Sequence, residues 1–281
     1  MVHTMIDLHI HTIYSDGTDT PEQLYKKLVE KGIKVFSVTD HDTVDFYDNT
    51  DYGSLDGLRL ITGVEFSCRT EVRKCHILGY GFDTNNKCIR ELILKGQELR
   101  KSKLIKRLEY LEKECGIVFE QSDKDYLLAM KAAGKPHIAQ IVVKMGLAEN
   151  ISKAIEKYMK KLPGGNDKLD TKEAISAIKA AGGIPVWAHP LGGEGEKHLS
   201  KEEFENQFDL LKGFGIQGLE CFYSRYNKEE IDFLCGVSDS NGLCKSAGSD
   251  YHGSVKNIEI GTLNCETLDI DEKVISLLSL L

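Results

Sequence analysis

The sequence predicts an α/β barrel interrupted by a helical insertion, on three observations. Short strand-like runs alternate with helical ones at both ends of the chain, strand signals vanish between about residues 86 and 168, and titratable residues recur where the strand-like runs end. At 281 residues the chain is long for one domain yet within the range of such a barrel, with room for an insertion.

The first strand-like run, Asp7-Leu8-His9-Ile10-His11, leads into Thr12-Ile13-Tyr14-Ser15-Asp16-Gly17. Side chains alternate along a strand, so Asp7, His9 and His11 share one face while Ile6, Leu8 and Ile10 share the other. Two neutral imidazoles on one face can share a cation, and an edge strand with a solvated polar face fits the same residues.

Thr20-Pro21-Glu22-Gln23 then has the pattern of a capping box with proline at the first helical position. Leu24, Leu28 and Val29 form the expected buried stripe of that helix, and Lys31-Gly32 ends it. The next strand, Lys34 to Thr39, runs into Asp40-His41-Asp42. A third, Leu58 to Phe66, finishes on Glu65, and a fourth, Cys75 to Phe82, carries His76. These βα units predict a largely parallel sheet.

From about Asn86 to about Lys168 the pattern is helical. Ile89, Leu92, Ile93, Leu99, Leu104, Leu108 and Leu111 mark one long helix ending at Cys115-Gly116, with shorter ones around Ile138 to Met145 and Ile151 to Leu162. Leu162-Pro163-Gly164-Gly165-Asn166-Asp167 reads as the linker back. The expected division is a barrel of residues 1–86 and 168–281, with residues 87–167 as an all-helical insertion that sits over it as a lid.

The βα rhythm resumes at Asp170-Thr171-Lys172-Glu173, which resembles a helix cap, and the helix from Ala174 to Ala181 stops at Gly182-Gly183. Ile184 to Ala188 is a strand ending on His189-Pro190, and Gly218 to Phe222 one ending near Tyr223-Ser224-Arg225. The helix that follows is capped by Asn227 with Glu230 three residues on, and the last strand, Lys245 to Ser249, ends on Asp250-Tyr251-His252.

Composition is that of an ordinary globular chain, with 41% hydrophobic and 28% charged residues. A net charge of −8 argues against bulk nucleic-acid or membrane-surface binding, while leaving room for a local basic patch that holds phosphate. No apolar run reaches spanning length and no basic-then-apolar leader is visible, so a cytoplasmic location is the expectation. The eight cysteines, Cys68, Cys75, Cys88, Cys115, Cys221, Cys235, Cys244 and Cys265, form no Cys-x-x-Cys pair and are expected to be small buried hydrophobes.

His9, His11, Asp16, His41, Glu65, His76, His189, Asp250 and His252 all fall at or just past the end of an expected strand, the face on which parallel barrels build their sites. Burying so many polar groups uncompensated would cost several kcal/mol each, and a cluster of metal ions satisfies them together. Of the remaining histidines, His3 and His198 are expected at the surface, and His137 lies in the insertion.

His9-x-His11 with Ser15-Asp16-Gly17, Thr39-Asp40-His41, Gly63-Val64-Glu65, His76, Ala188-His189-Pro190 and Gly248-Ser249-Asp250-x-His252 resemble, in order, the motifs of the polymerase and histidinol phosphatase (PHP) family. With Lys135-Pro136-His137-Ile138-Ala139, the insertion is similar to the branch containing phosphatases of 3′,5′-bisphosphorylated nucleosides and related 5′-to-3′ RNA-trimming enzymes. The resemblance implies a distorted (β/α)7 TIM-like barrel with two or three divalent ions, Mn, Fe or Zn. It implies that His9, His11, Glu65 and Asp250 hold one ion, Glu65, His76 and His189 a second, and Asp16, His41 and His252 a third. Asp40 would orient a ligand rather than bind metal.

The catalytic set so implied is Asp16, His41, Glu65, His189 and His252, acting through metal-activated hydroxide on phosphorus, with no unique general acid in the sequence. Lys135, His137, Ser224 and Arg225, the last beside Tyr226, are the candidate contacts to a small phosphorylated substrate, and a lysine stands where the family pattern usually has arginine before Pro136. The expected reaction is removal of the 3′-phosphate from a nucleoside 3′,5′-bisphosphate. The alternatives are a 5′-to-3′ exoribonuclease, a histidinol-phosphate phosphatase and a non-catalytic metal-binding module.

Overall fold

The computed structural model describes residues 2–3, 6–50, 57–162, 167–263 and 275–281. Pro163 to Asn166 of the expected linker and Cys265 lie outside them. Seven strands form a nearly closed barrel in chain order: β1 (Ile6–Ile10), β2 (Val35–Val38), β3 (Arg59–Arg69), β4 (Lys74–Tyr80), β5 (Ile184–Trp187), β6 (Gly218–Tyr223) and β7 (Cys244–Gly248). The two edge strands meet at one end. There Ile10 bridges Tyr251, the His11 amide donates to the Tyr251 carbonyl (2.8 Å) and the Asp250 amide to the His9 carbonyl (2.9 Å).

The sheet is parallel except at β4, which pairs antiparallel with both β3 and β5. The expectation of one strand–helix rhythm fails here because β3 turns straight into β4 through residues 70–73, with no helix between. Two site residues are therefore not at strand C-termini as expected. Glu65 sits in mid-strand, since β3 runs on past the rim, and His76 is near the start of β4. The reversal of β4 brings its N-terminal end to the rim where its parallel neighbours end.

The helices begin and end where their sequences direct. α1 (Pro21–Lys31) has the full Thr20–Gln23 capping box and ends on Gly32 at φ 72°, and it buries Leu24 and Leu28. Val29, expected in that stripe, is 54% exposed. α2 (Lys87–Cys115) is continuous over 29 residues, with Ile89, Leu92 and Ile93 in the barrel core and Leu104, Leu108 and Leu111 in a second apolar core. That second core is completed by α3 (Gln121–Ala129), which the sequence reading missed, α4 (Lys135–Lys144) and α5 (Ile151–Tyr158). The barrel is wrapped further by α6 (Thr171–Ala180), α7 (Lys201–Phe214) and α8 (Lys228–Asn241), of which α7 was also unread. Among the described residues no helix is long and apolar enough to cross a membrane. Cys68, Cys75, Cys221 and Cys244 are buried as expected, but Cys88 is exposed and Cys115 and Cys235 half-buried.

Barrel closure leaves no room beside β1. A methyl group at Gly248 of β7 would lie 2.2 Å from the His9 Cβ and 2.9 Å from a Glu220 carboxylate oxygen. Gly248→Ala is expected to destabilise the fold by about 1–3 kcal/mol in urea denaturation, because backbone rather than a flexible side-chain tip must move. An unchanged midpoint would mean that β1 and β7 do not pack this closely in solution.

Candidate metal centre

Backbone geometry at the barrel rim aims the polar side chains inward. His189 (φ 30°) and Asp250 (φ 59°) adopt the left-handed region that non-glycine residues rarely occupy, as does Asp42 (φ 51°) beside His41. Such strain persists only where surrounding bonds over-determine it. For Asp250 those bonds start at Asp7, whose fully buried carboxylate accepts from the Ser249 hydroxyl (2.5 Å), the Ser249 amide (3.0 Å) and the Gly261 amide (2.7 Å). Asp7 thus pins the loop that carries Asp250, although strand alternation alone would place it on the face of His9 and His11.

Glu65 is the centre of the cluster. Its Oε2 lies 3.3 Å from His9 Nε2, 3.2 Å from His11 Nε2 and 3.0 Å from His41 Nδ1, while its Oε1 lies 2.9 Å from His76 Nδ1 and 3.2 Å from His189 Nε2. Asp250 Oδ1 is 3.6 Å from His9 Nε2 and 3.5 Å from His11 Nε2. Asp16 Oδ1 is 3.2 Å from His252 Nε2, with His41 and His11 at 3.9 and 3.8 Å from its carboxylate. The structure therefore brings all nine predicted positions to one place, where His11, Asp16, His41 and His252, then His9, His11 and Asp250, then His41, Glu65 and His76 form groups with metal-ligand spacing.

His9 Nε2, His11 Nε2, Asp16 Oδ1 and His41 Nδ1 are buried without a hydrogen-bond partner among the described residues. All four face the interior of the cluster. A donor set of imidazole nitrogens and carboxylate oxygens, with its inward atoms unsatisfied, fits divalent cations.

Two carboxylates behind the cluster fix its orientation. Asp40 accepts from the Thr12 amide (2.7 Å), the Thr12 hydroxyl (2.6 Å) and the Ser15 hydroxyl (2.5 Å), and Ser15 Oγ is 3.4 Å from His11 Nδ1. Both of its oxygens are taken up by the turn after His11. Glu220, fully buried in mid-β6, takes His9 Nδ1 at 2.8 Å on one oxygen and the His189 amide at 2.7 Å on the other. The sequence reading gave it no role. The available signal was a lone carboxylate inside an otherwise apolar strand, which must be paired to be buried. Glu220→Ala is expected to weaken metal binding about 10–100-fold in competition with a chelator, with the far-ultraviolet spectrum unchanged. Unchanged affinity would remove it from the site.

The predicted substrate contacts are scattered. His137 Nδ1 accepts from the Gly134 amide (3.0 Å) at the start of α4, and the open face of Gly134 lies against Asp16. Lys135 is half-buried next to them. Ser224 is buried with its hydroxyl unpaired, but Arg225 pairs with Glu194 at 2.6 Å. Tyr226 is buried as well, accepting from the Leu191 amide at 2.7 Å, and is no surface anion contact.

The sequence pattern of the PHP domain matches residues 7–169. A 5′-3′ exoribonuclease of Haemophilus influenzae is 30% identical over 96% of this chain and 96% of its own. A 3′,5′-nucleoside bisphosphate phosphatase of Chromobacterium violaceum is 25% identical over 88% of this chain and 87% of its own. A solved structure from Bifidobacterium adolescentis, described as a metal-dependent phosphoesterase, superposes with a TM-score of 0.81 at 27% identity, covering 98% of this chain and 96% of that one.

Proposed function

The chain belongs to the PHP-domain family of metal-dependent phosphoesterases, and from that premise we propose that it removes the 3′-phosphate from nucleoside 3′,5′-bisphosphates. The observation that carries the chemistry is the cage, where six imidazoles and three carboxylates converge with inward atoms unpaired. Two or three ions of the Mn, Fe or Zn type suit these donors. When bound, they supply Lewis acidity and an activated water for in-line attack on phosphorus.

The chain's own groups do the rest. Glu65 offers one oxygen toward His9, His11 and His41 and the other toward His76 and His189, so it would serve as a ligand to ions held on either side of the cage. Asp16, His41 and His252 line the side next to the α4 N-terminus, where a substrate entering beneath the helices would meet them. Lys256 donates to the outer oxygen of Asp250 (2.6 Å), leaving its inner oxygen turned toward His9 and His11.

A second reading, a 5′-to-3′ exoribonuclease, is supported by the Haemophilus influenzae relative. The two readings share one bond. In each, phosphorus is separated from the 3′-oxygen of a nucleotide that carries its own 5′-phosphate, and they differ in whether that phosphorus is terminal. With Mn²⁺ supplied, adenosine 3′,5′-bisphosphate is expected to yield inorganic phosphate. Faster release of mononucleotides from short 5′-phosphorylated RNA would favour the second reading, and absence of both products would overturn the pair.

A further inference from the structure

On the side of His76 and His189 the cage opens into a pocket whose walls, beyond the cage residues themselves, are Gly193, Glu194, Glu196 and Lys256. Both acids of that wall are engaged. Glu194 pairs with Arg225 at 2.6 Å, and Glu196 Oε2 accepts from the Gly193 amide (3.0 Å) and lies 3.5 Å from His189 Nδ1. Among the described residues Lys256 is the only lysine or arginine that lines the opening.

A well-held loop presents this lysine. Gly253 to Val255 form one 3₁₀ turn after His252, and the Ser254 amide donates to Thr18 Oγ1 at 2.9 Å. Gly253, at φ 66°, packs so closely on Thr18 that a methyl group there would lie 2.0 Å from its hydroxyl oxygen. The Lys256 ammonium donates to the outer oxygen of Asp250 (2.6 Å), its one polar partner among the described residues, and the side chain is 20% exposed. An ammonium has three N–H donors, so two remain unspent at the opening.

Asp250 does not need that bond for its orientation. The Tyr223 hydroxyl donates to the same Oδ2 at 3.1 Å, and the Asp250 amide is bound to the His9 carbonyl. Resting on the phosphoester reading above, we propose that Lys256 is a catalytic residue, contacting a non-bridging oxygen of the phosphoryl group under attack. Negative charge spreads over those oxygens as the ester bond breaks, and a fixed cation at the opening stabilises it. A compact ammonium on a flexible four-carbon stem suits the task, since it can turn from Asp250 toward an arriving oxygen without losing its loop.

The first test needs no turnover. Inorganic phosphate is titrated calorimetrically into protein loaded with Mn²⁺, and ion content is measured on the same samples. Lys256→Met is expected to raise the Kd for phosphate about 10–100-fold, the range of a charge-assisted hydrogen bond, with bound Mn²⁺ unchanged. Lys256→Arg keeps the charge and is expected to recover most of the affinity. Tyr223→Phe removes the other donor to the same Asp250 oxygen but no charge, so phosphate should bind it as it binds wild type. Equal weakening by Lys256→Met and Tyr223→Phe, or an effect of Lys256→Met that follows loss of Mn²⁺, would overturn the proposal, because the lysine would then act only through Asp250.

The second test reads the split between kcat and KM. On adenosine 3′,5′-bisphosphate, Lys256→Met is expected to lower kcat about 100-fold and to change KM less, because the charge that the lysine meets is greatest in the transition state. An unchanged kcat would overturn the assignment. Should wild type cleave neither this nucleotide nor RNA, the nucleotide reading alone falls, and the phosphate titration decides on Lys256 by itself.

Discussion

Asp16→Asn is expected to lower kcat about a thousandfold while leaving the folded structure in place. The substitution keeps the shape of the side chain and removes its charge. Burial raises the Asp16 pKa, but His41, His252 and His11 outweigh it and hold the carboxyl well below the usual range, so it is an anion at any working pH. Its Oδ1 is one of the buried atoms without a partner, and it is the only carboxylate in the group with His11, His41 and His252. A neutral amide there binds a divalent ion poorly, and loss of charge stabilisation at a reacting phosphoryl group costs a factor of about 10²–10³ or more. The fold should survive because Asp16 sits in a loop after β1 and bonds no strand to another. Steady-state rates and metal content, measured together, check this. Retention of more than a tenth of wild-type turnover with full metal content would remove this group from the reacting centre.

The cage was legible because each ligand lies in its own short motif, and strand alternation sorted His9 and His11 from Ile10. Legibility failed where long-range pairing decides. Nothing local to Cys75-His76-Ile77 states that β4 runs backward, yet the reversal delivers His76 to the rim. Nothing local to Glu220 states that His9 lies across the barrel seam from it, over 200 residues away. By contrast α7 was readable and overlooked, since Ser200 and Glu203 form a complete capping box.

Loading the metal-free protein with Mn²⁺ or Zn²⁺ at about pH 7.5 is expected to release at least one proton per molecule. Burial pushes the His9 pKa down, but Glu220, Glu65 and Asp250 outweigh it and raise it well above the ordinary value. Against the same burial, Asp250 and Glu65 lift His11 to about 9, and Glu196 and Glu65 lift His189 to about 10. For His41, His76 and His252 burial outweighs the neighbouring carboxylates and lowers the pKa. Glu65 and Asp250 join Asp16 below the usual carboxylate range, because neighbouring cations offset their burial. The raised values leave His9, His11 and His189 protonated near neutral pH in the metal-free protein. Metal binds neutral imidazole, so ligation at these three residues must expel their protons.

The sign of the pH dependence follows. Groups with raised folded pKa values stabilise the metal-free protein fully below the unfolded value of about 6.5, and that contribution is lost as pH rises through about 9 to 10. Metal affinity moves oppositely, gaining about tenfold per pH unit for each proton that the metal displaces. The metal-induced rise in Tm should therefore grow between about pH 6.5 and 9, while the metal-free Tm falls. Proton release is read with an indicator dye in weak buffer, and Tm with and without chelator. Release of less than one proton, or a metal-induced shift that shrinks as pH rises, would mean that the imidazoles do not ligate the ions.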